Sequence, residues 1–341
     1  MFTSPLNTNT HLRDVVLMSF VILLATLFIL LLSLFLGSTG TSPIFDYLHR
    51  DLSWKIIMEI RLPRSLGAWT AGALLGLAGA LAQGYFRNPL ADPFLLGSAS
   101  GASVGVAIGL IGIGASSLNS TWFSSLTLTF SAFIGASLGV LLTLVLARGV
   151  GNTFRLLLSG VIVGVILGSI TQLIIFVRPQ DMLTMQGFLL GSTGLVGWNE
   201  CLIMGLVLIF CGLGAWCLSP ILDALCLGEA TASSLGVEWK KWRFFLIAIF
   251  ALSTAAAVSN TGLIAFVGLA APHIVRSLIR CSYRYLLFLA SLVGGSVLLV
   301  ADLLARTLIS PQELPVGVLT SVCGGIYLML IMNKNQKMEI F

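Results

Sequence analysis

Apolar stretches alternate with short polar segments along nearly the whole chain. Each stretch has about 20 residues, which as a helix cross the roughly 30 Å hydrocarbon core of a bilayer. The pattern predicts ten transmembrane helices, over residues 15–37, 62–86, 93–114, 122–147, 154–177, 198–219, 242–260, 262–279, 286–305 and 314–333. We therefore expect an all-α polytopic membrane protein with a single transmembrane domain over residues 1–341.

The composition narrows the class further. Hydrophobic residues make up 57% of the chain and charged residues only 9%, whereas soluble domains carry about 25% charged residues. The net charge of +5 is spread over the polar segments, and without a basic patch nucleic-acid binding is not expected. The six cysteines form no Cys-x-x-Cys pair, so we expect them to be reduced and structural.

The distribution of lysine and arginine predicts the orientation. With the N-terminus in the cytoplasm, twelve of the 18 basic residues fall inside and six outside. This bias follows the positive-inside rule and predicts that both termini are cytoplasmic. The short hairpin between the seventh and eighth spans is the weakest boundary, because merging the two spans largely removes the bias. Spans two to five and seven to ten enter the membrane in opposite senses, which is compatible with an inverted repeat.

Runs of three or more glycines at four-residue spacing occur in two of the predicted spans. Small residues on one helix face let neighbouring backbones approach closely, so we expect these glycines to pack helices together. The alternative is that some of them face a second copy of the chain. The glycines are Gly97, Gly101, Gly105 and Gly109 in the third span and Gly160, Gly164 and Gly168 in the fifth.

Several kinds of chemistry are missing from the sequence. No Gly-x-x-x-x-Gly-Lys-Ser/Thr motif occurs, so the chain itself is not expected to bind ATP. The three histidines His11, His49 and His273 lie in no metal-ligand pattern, and no metal or cofactor is expected on this chain. The span interiors hold essentially no ionisable residue, and Gln83 and Gln172 are their most polar members. This disfavours an ion-coupled carrier and an intramembrane enzyme.

Two polar segments are candidates for function. The first is "RLPR", with Arg61 and Arg64 at the predicted outer end of the second span. The second is residues 220–240, the longest predicted cytoplasmic segment. Within it, residues 229–235 predict a short helix, with Glu229 favoured at its N-terminus and Gly236 as its stop. Such a helix suits docking to a soluble partner; the alternative is an ordinary connecting loop.

Four stretches of sequence follow one another along the chain: "RLPRSLGAWTAGALLGLAGALAQGYFRNPLADPFLLGSASGA", "LGEATASSLGV", "GLIAFVGLAAPHIVR" and "ADLLARTLISPQELPVGVLTSVCGG". Together they resemble ABC importer permeases for iron–siderophores, haem and cobalamin. The resemblance implies a permease subunit of a type II importer in the bacterial inner membrane. It also implies a second permease subunit, the same or related, two ATPase subunits that hold ATP and Mg, and an extracytoplasmic binding protein.

The resemblance also implies roles for particular residues. Arg61, Arg64 and Arg306 match outer arginines that receive carboxylates of the binding protein. The alternatives are a helical salt bridge between Arg306 and Asp302, and lipid-headgroup anchoring for the other two. Residues that match the coupling segment against the ATPase are Leu227, Gly228, Glu229, Ala230, Ser233, Leu235 and Gly236.

Three readings of the function stay open from the sequence. The leading one is ATP-driven import of an iron–siderophore, haem or cobalamin-type substrate, with a smaller cargo such as an oxyanion as a variant of it. The second is an ion-coupled secondary transporter, which would work without other subunits. The third is a membrane scaffold without transport. The substrate itself is not predicted, because in such importers the binding protein largely selects it.

Overall fold

The structure is a computed structural model that describes residues 8–37, 40–41, 51–113, 121–148, 153–234, 236 and 238–338. It is all-α apart from one antiparallel pair of two-residue strands, β1 (Leu36–Gly37) and β2 (Gly40–Thr41). The helices are α1 (Thr8–Phe35), α2 (Asp51–Ile56), α3 (Leu62–Phe86), α4 (Ser98–Ile113), α5 (Thr121–Leu146), α6 (Thr153–Val177), α7 (Met182–Leu190), α8 (Trp198–Cys226), α9 (Glu229–Ser234), α10 (Trp239–Thr261), α11 (Val267–Leu278), α12 (Tyr283–Thr307) and α13 (Val316–Met338).

Each of the ten predicted spans coincides with a helix, which confirms the polytopic all-α fold. Among the described residues, seven helices are long and apolar enough to cross a membrane, namely α1, α3, α5, α6, α8, α10 and α12. The apolar helices α4 and α13 are shorter. A five-residue π-helical turn, Ile57–Arg61, joins α2 to α3 without a break in the helical path.

The eighth predicted span is shorter than expected. The sequence analysis placed it at residues 262–279, but α11 has only 12 residues, which rise about 18 Å and cover part of a bilayer. The chain between α10 and α11 is a turn in which Gly262 and Phe266 have positive φ angles of 70° and 69°. The left-handed backbone at these two positions ends one helix and redirects the chain into the next.

Helix α3 lies at the centre of the bundle. Of the 18 residues in its most apolar stretch, 89% are buried, whereas the corresponding shares are 11% for α1 and 17% for α6. It contacts α1, α8, α10, α11 and α12, and α5 packs on α10 elsewhere in the bundle. If spans two to five and seven to ten form an inverted repeat, α3 corresponds to α10 and α5 corresponds to α12. The α3–α12 contact and the α10–α5 contact are then equivalent to each other.

Glycines set the closest helix approaches. A Cβ atom added at Gly72 would lie 2.3 Å from the carbonyl oxygen of Gly294, and one at Gly76 would lie 2.2 Å from that of Ala290. Such separations exclude any side chain, so backbone packs directly on backbone between α3 and α12. The side chain of Ser291 adds a hydrogen bond of 2.9 Å from its Oγ to the Ala73 carbonyl.

The predicted stripe in the third span packs in the same way against α5. Added Cβ atoms at Gly101 and Gly105 would lie 2.3 and 2.0 Å from the carbonyl oxygens of Gly135 and Ser131. At the ends of the stripe, Gly97 has a positive φ of 75° before α4 begins, and a Cβ atom added at Gly109 would lie 2.8 Å from Ser131 Oγ.

The three glycines of the fifth span differ among themselves. An added Cβ atom at Gly160 would lie 1.9 Å from the carbonyl oxygen of Leu95, so this position is a close contact. At Gly164 the nearest atom is 3.7 Å away, and at Gly168 no atom lies within 4 Å. Close backbone packing inside this chain therefore occurs at Gly160 alone on α6, and the alternative, contact of these glycines with a second copy of the chain, stays a prediction.

Candidate functional site

The three arginines singled out by sequence lie together where α3 begins and α12 ends, which we call the arginine end of the bundle. Arg61 closes the π-helical turn, Arg64 lies in the first turn of α3, and Arg306 lies in the last turn of α12. Their exposed fractions are 7%, 8% and 2%. They are buried at a helix junction rather than displayed on its surface.

Asp302 is the centre of this junction. It is fully buried, and its Oδ1 accepts a hydrogen bond of 3.2 Å from Arg64 Nε and another from Thr193 Oγ1. Its Oδ2 pairs with Arg306 Nη2, which also donates to Ser65 Oγ at 3.2 Å. Two guanidinium groups and a hydroxyl thus compensate the desolvation of one carboxylate. The cluster joins α3, α12 and the segment between α7 and α8.

Arg64 also reaches a second acid. Its Nη1 lies 2.8 Å from Glu313 Oε2 and donates to Oε1 at 3.1 Å. The Glu313 side chain is 36% exposed, whereas that of Asp302 is fully buried. In the same loop Leu314 donates its N–H to the Ala305 carbonyl at 3.0 Å. These contacts attach the loop before α13 to the arginine end.

Arg61 has a different set of partners. Its Nη1 donates to the carbonyl oxygens of Leu34 at 2.9 Å and Phe35 at 3.2 Å. These carbonyls belong to the last turn of α1, where no further helical N–H is available to them. Arg61 therefore binds the end of α1 to the start of α3.

The sequence analysis assigned these three arginines to docking of a binding protein, and that role stays a prediction for side chains that are buried here. For Arg306 the structure shows the alternative, the helical ion pair with Asp302. The expectation that span interiors lack ionisable groups was wrong at Asp302, which lies inside the predicted ninth span and is fully buried. A carboxylate there requires counter-charges, and the arginines that the sequence offers nearby are drawn inward to supply them.

The segment between α7 and α8 fixes the start of α13. Ser192 donates its N–H to the Thr261 carbonyl at 2.8 Å, and Gly317 donates to the Gly191 carbonyl at 3.3 Å. A Cβ atom added at Gly317 would lie 2.3 Å from the Leu190 carbonyl oxygen, so only glycine fits. The ends of α7, α10 and α13 therefore meet beside the Asp302 cluster.

At the opposite end, the predicted coupling segment forms the short helix α9. Leu227 and Gly228 precede it, and Gly228 and Gly236 have positive φ angles of 108° and 77°. Ala232 is fully buried and donates its N–H to the Gly228 carbonyl at 2.9 Å, whereas Ser233 is exposed. The helix packs on α8 and α10. Leu235 lies outside the described residues, as do the side chains of Glu229 and Ala230.

A polar network ties the helices together near this α9 end. Arg276 Nη1 donates to Gln83 Oε1, and Arg276 Nη2 donates to Tyr283 Oη at 2.8 Å. The Tyr283 N–H donates to Asp223 Oδ1 at 2.9 Å. Close by, burial raises the pKa of the Cys281 thiol to about 11, an effect that nearby Arg276 only partly opposes.

His273 makes contacts that hold two helices together. His273 Nδ1 forms a hydrogen bond of 2.8 Å with Tyr327 Oη, and the two rings meet edge to face. This contact joins α11 to α13. In the part of the chain that the structure describes, no group of three or more His, Cys, Asp or Glu side chains is placed to hold a metal ion.

The family is decided by sequence comparison. The profile of the FecCD transport family matches residues 23–334, which is most of the chain. The chain belongs to the FecCD transport family. Its relatives in this family include the hemin transport system permease protein HmuU of Yersinia pestis, 37% identical over 93% of this chain and 97% of that protein. The vitamin B12 import system permease protein BtuC of Shigella flexneri is 36% identical over 92% and 93% of the two chains.

Solved structures agree with this FecCD assignment. An inward-facing conformation of a metal-chelate type ABC transporter has a TM-score of 0.82 and 28% identity, covering 92% of this chain and 98% of that one. PsaBC from Streptococcus pneumoniae shares the fold, with a TM-score of 0.57 at 15% identity over 84% and 95% of the two chains. The chain is therefore a membrane permease subunit of the ABC importer class.

Sequence reasoning missed Glu313 and Thr193 and gave Asp302 only a minor role. Asp302 and Arg306 stand four residues apart, a spacing that places both on one helix face. That signal was visible. The contacts of Glu313 and Thr193 with the cluster span 249 and 109 residues of sequence, and no local pattern encodes them.

Proposed function

We propose that this permease imports a haem-, cobalamin- or siderophore-type substrate across a bacterial inner membrane, with both termini in the cytoplasm. The observation that carries the proposal is the match over nearly the whole chain to permeases named for hemin and vitamin B12. The chain has no nucleotide-binding motif of its own. ATP and Mg belong to two partner ATPase subunits in this proposal, and a binding protein delivers the substrate from outside.

The short helix α9 is the proposed contact with the ATPase. It lies between two glycines with positive φ, which let the chain change direction on both sides of the helix. Buried Ala232 anchors it to the bundle while Ser233 and Thr231 are exposed. A push on α9 is transmitted to α8, which has Pro220 near its adjoining end, and to α10. This arrangement supports a role in coupling ATP hydrolysis to movement of the permease.

Docking of the binding protein is proposed at Arg64 and Glu313. Arg306 and Arg61 hold partners within the chain and support the junction from beneath. The ion pair of Arg64 with Glu313 is the part of the junction with an exposed carboxylate. A carboxylate of the binding protein takes the place of Glu313 on Arg64, and Arg64 keeps its bond to Asp302. The loop before α13 is thereby released when docking occurs.

A second permease subunit, identical or related, is proposed to cover α6 and α13. An added Cβ atom at Gly168 would meet nothing within 4 Å, so one side of α6 is open there. Along α13, Val322, Ile326 and Met329 are 57%, 55% and 73% exposed, and they recur at helical spacing on one face. Two copies that pack through these faces would place the substrate pathway between them. One end of the pathway would lie near the arginine end of the bundle and the other near α9.

Reconstitution separates this proposal from an ion-coupled carrier. The tagged permease is purified from membranes of its source organism with whatever ATPase it retains, and is placed in proteoliposomes with either hemin or cyanocobalamin as the probe. We expect uptake only with the ATPase, internal ATP and an extracytoplasmic protein fraction. Uptake by the permease alone under a proton or sodium gradient would overturn the proposal in favour of a secondary carrier.

A further inference from the structure

An apolar groove opens on one side of the bundle between α8 and α12, with α3 as its floor. Its volume is about 460 Å³. The three helices contribute Trp69 and Leu77 from α3, Leu208, Ile209, Gly212, Leu213 and Trp216 from α8, and Leu287, Phe288, Ser291 and Leu292 from α12. The hydroxyl of Ser291 is already bonded to the Ala73 carbonyl. The groove therefore suits an apolar occupant.

The absence of a side chain at Gly212 keeps the groove open. A Cβ atom added there would meet no atom within 4 Å. Packing does not require glycine at this position, in contrast to Gly72 and Gly76, where a Cβ atom would collide with backbone. A helix with room for a larger residue on its groove side, in an apolar and concave site, has the shape of a ligand site.

A cation stands at one mouth of the groove. The guanidinium of Arg284 lies 4.3 Å from the centre of the Trp216 ring, which is a lining residue. Trp216 in turn meets Tyr285 edge to face at 6.4 Å. Arg284 is exposed, and among the described residues no carboxylate is within ion-pair distance of it. The aromatic contact fixes this charge beside the apolar groove.

The position of Arg284 along α12 makes an anion more favourable still. It is the second residue of the helix, and the first turn of α12 contains no acidic residue. The N-terminus of a helix carries partial positive charge, which disfavours a cation there and favours an anion. An anion bound at Arg284 would be stabilised by both charges.

We propose that the groove binds an acyl chain of an anionic phospholipid whose phosphate group pairs with Arg284. An apolar tail and an anionic head at a fixed separation match the apolar groove and the cation at its mouth. By the orientation proposed above, the lipid belongs to the cytoplasmic leaflet, where basic residues attract anionic headgroups. The site goes beyond the importer function, and its test requires no ATPase or binding protein.

Delipidated permease in detergent is titrated with phosphatidylglycerol and with phosphatidylcholine of the same acyl chains, and bound lipid is counted by native mass spectrometry. We expect the wild type to bind phosphatidylglycerol about fivefold more tightly than phosphatidylcholine, as one arginine near a headgroup supplies. Arg284→Gln should remove this preference. Gly212→Leu should fill the groove and weaken binding of both lipids at least fivefold.

Two control variants test whether the site is local. Gly205→Leu lies two turns away on the same helix, at another glycine with no atom within 4 Å of an added Cβ, and outside the groove. Arg148→Gln removes an exposed cation that follows α5, which does not line the groove. Both should bind lipid as the wild type does.

An unchanged lipid preference in Arg284→Gln would overturn the proposal, since the headgroup would then be held elsewhere. Equal losses in Gly205→Leu and Gly212→Leu would also overturn it, because they indicate a diffuse lipid shell. If Gly212→Leu fails to fold, the comparison of Arg284→Gln with Arg148→Gln decides the question alone.

Discussion

Arg64 and Glu313 form an ion pair, with 2.8 Å between Arg64 Nη1 and Glu313 Oε2, that joins the first turn of α3 to the loop before α13. The same guanidinium holds buried Asp302 through its Nε. One arginine therefore links a fully buried carboxylate to one that is 36% exposed. The pair with Glu313 is the one that we propose a docking partner displaces.

Removing the charge of Glu313 is expected to strengthen docking. In Glu313→Gln, an incoming carboxylate no longer competes with an internal one, and Arg64 keeps its bond to Asp302. Because a partly exposed ion pair is worth about 0.2–1 kcal/mol, binding-protein affinity should rise by a factor of about 1.4 to 5. Permease in nanodiscs is exposed to an extracytoplasmic protein fraction, and retained protein is measured.

The control for that experiment is Glu59→Gln, which removes an exposed acid from the neighbouring π-helical turn. It should leave retention at the wild-type level. Weaker retention by Glu313→Gln would mean that Glu313 itself contacts the partner, and the exchange at Arg64 would be wrong.

Asp302 is expected to be the most sensitive residue of the arginine end. Asp302→Asn leaves the guanidinium groups of Arg64 and Arg306 without a buried counter-ion, and breaking such a pair costs about 3–5 kcal/mol. The free energy of unfolding in mild detergent should fall by that amount. The matched control is Asp181→Asn, whose pair with Arg178 is partly exposed on both sides, and it should cost about 1 kcal/mol or less. Equal losses in the two variants would contradict a special role for the Asp302 cluster.

Two glycines on different helices should respond oppositely to the same substitution. In Gly76→Ala the new methyl group meets the Ala290 carbonyl oxygen, so α3 and α12 must separate, at a cost of about 1–3 kcal/mol. In Gly168→Ala the methyl group meets nothing within this chain, and alanine favours the helix. Thermal unfolding of the two purified variants measures the difference. Similar destabilisation in monomeric samples of both would contradict the assigned helix packing.

The ten helices were predictable from sequence because each depends on a local run of apolar residues. The glycine contacts of α4 were also predictable, since a four-residue spacing defines one face of a helix. The length of α11 was not, because its start depends on left-handed backbone at Gly262 and Phe266. Neither of the two flanking apolar runs signals that turn by its composition.

The sequence predicted which arginines lie at the arginine end, but not which way their side chains point. Motif resemblance brought Arg61, Arg64 and Arg306 together, and the structure places them at one junction. Whether they face outward or inward depends on the partners of Asp302, which come from α3, α12 and the segment after α7. Those contacts join residues far apart in sequence. A sequence read in local segments gives the charges but not the direction in which each side chain turns.

Cysteine reactivity should separate two thiols near the α9 end. A thiol with a pKa of about 11 is thiolate in only about one molecule in 1,000 at pH 8, and the thiolate is the reactive form. A variant that retains only Cys281 should therefore label slowly with a maleimide, and its rate should rise about tenfold per pH unit up to pH 11. A variant that retains only exposed Cys226 should label readily at pH 8. Fast labelling of Cys281 at pH 8 in folded protein would contradict the raised pKa of its thiol.

The same Cys226 variant tests the proposed orientation. Cys226 is the last residue of α8, just before α9 and the residues that lead into it. In right-side-out vesicles a membrane-impermeant maleimide should leave it unlabelled, and in inverted vesicles it should react. The reverse result would place α9 outside the cell, and the ATPase contact proposed for it would then be excluded.

A proline in α9 should uncouple the permease from its ATPase without unfolding it. Ala232→Pro removes the N–H that donates to the Gly228 carbonyl, and its ring crowds the preceding turn. The six-residue helix loses its shape, while the Asp302 cluster at the other end of the bundle is untouched. We expect the variant to remain monodisperse but to lose co-purifying ATPase activity at least tenfold. Thr231→Ala, at an exposed neighbouring position, keeps the backbone donors and should retain the ATPase. Undiminished ATPase recovery with Ala232→Pro would mean that the partner contacts another surface, because the only feature changed is the helix proposed to meet it.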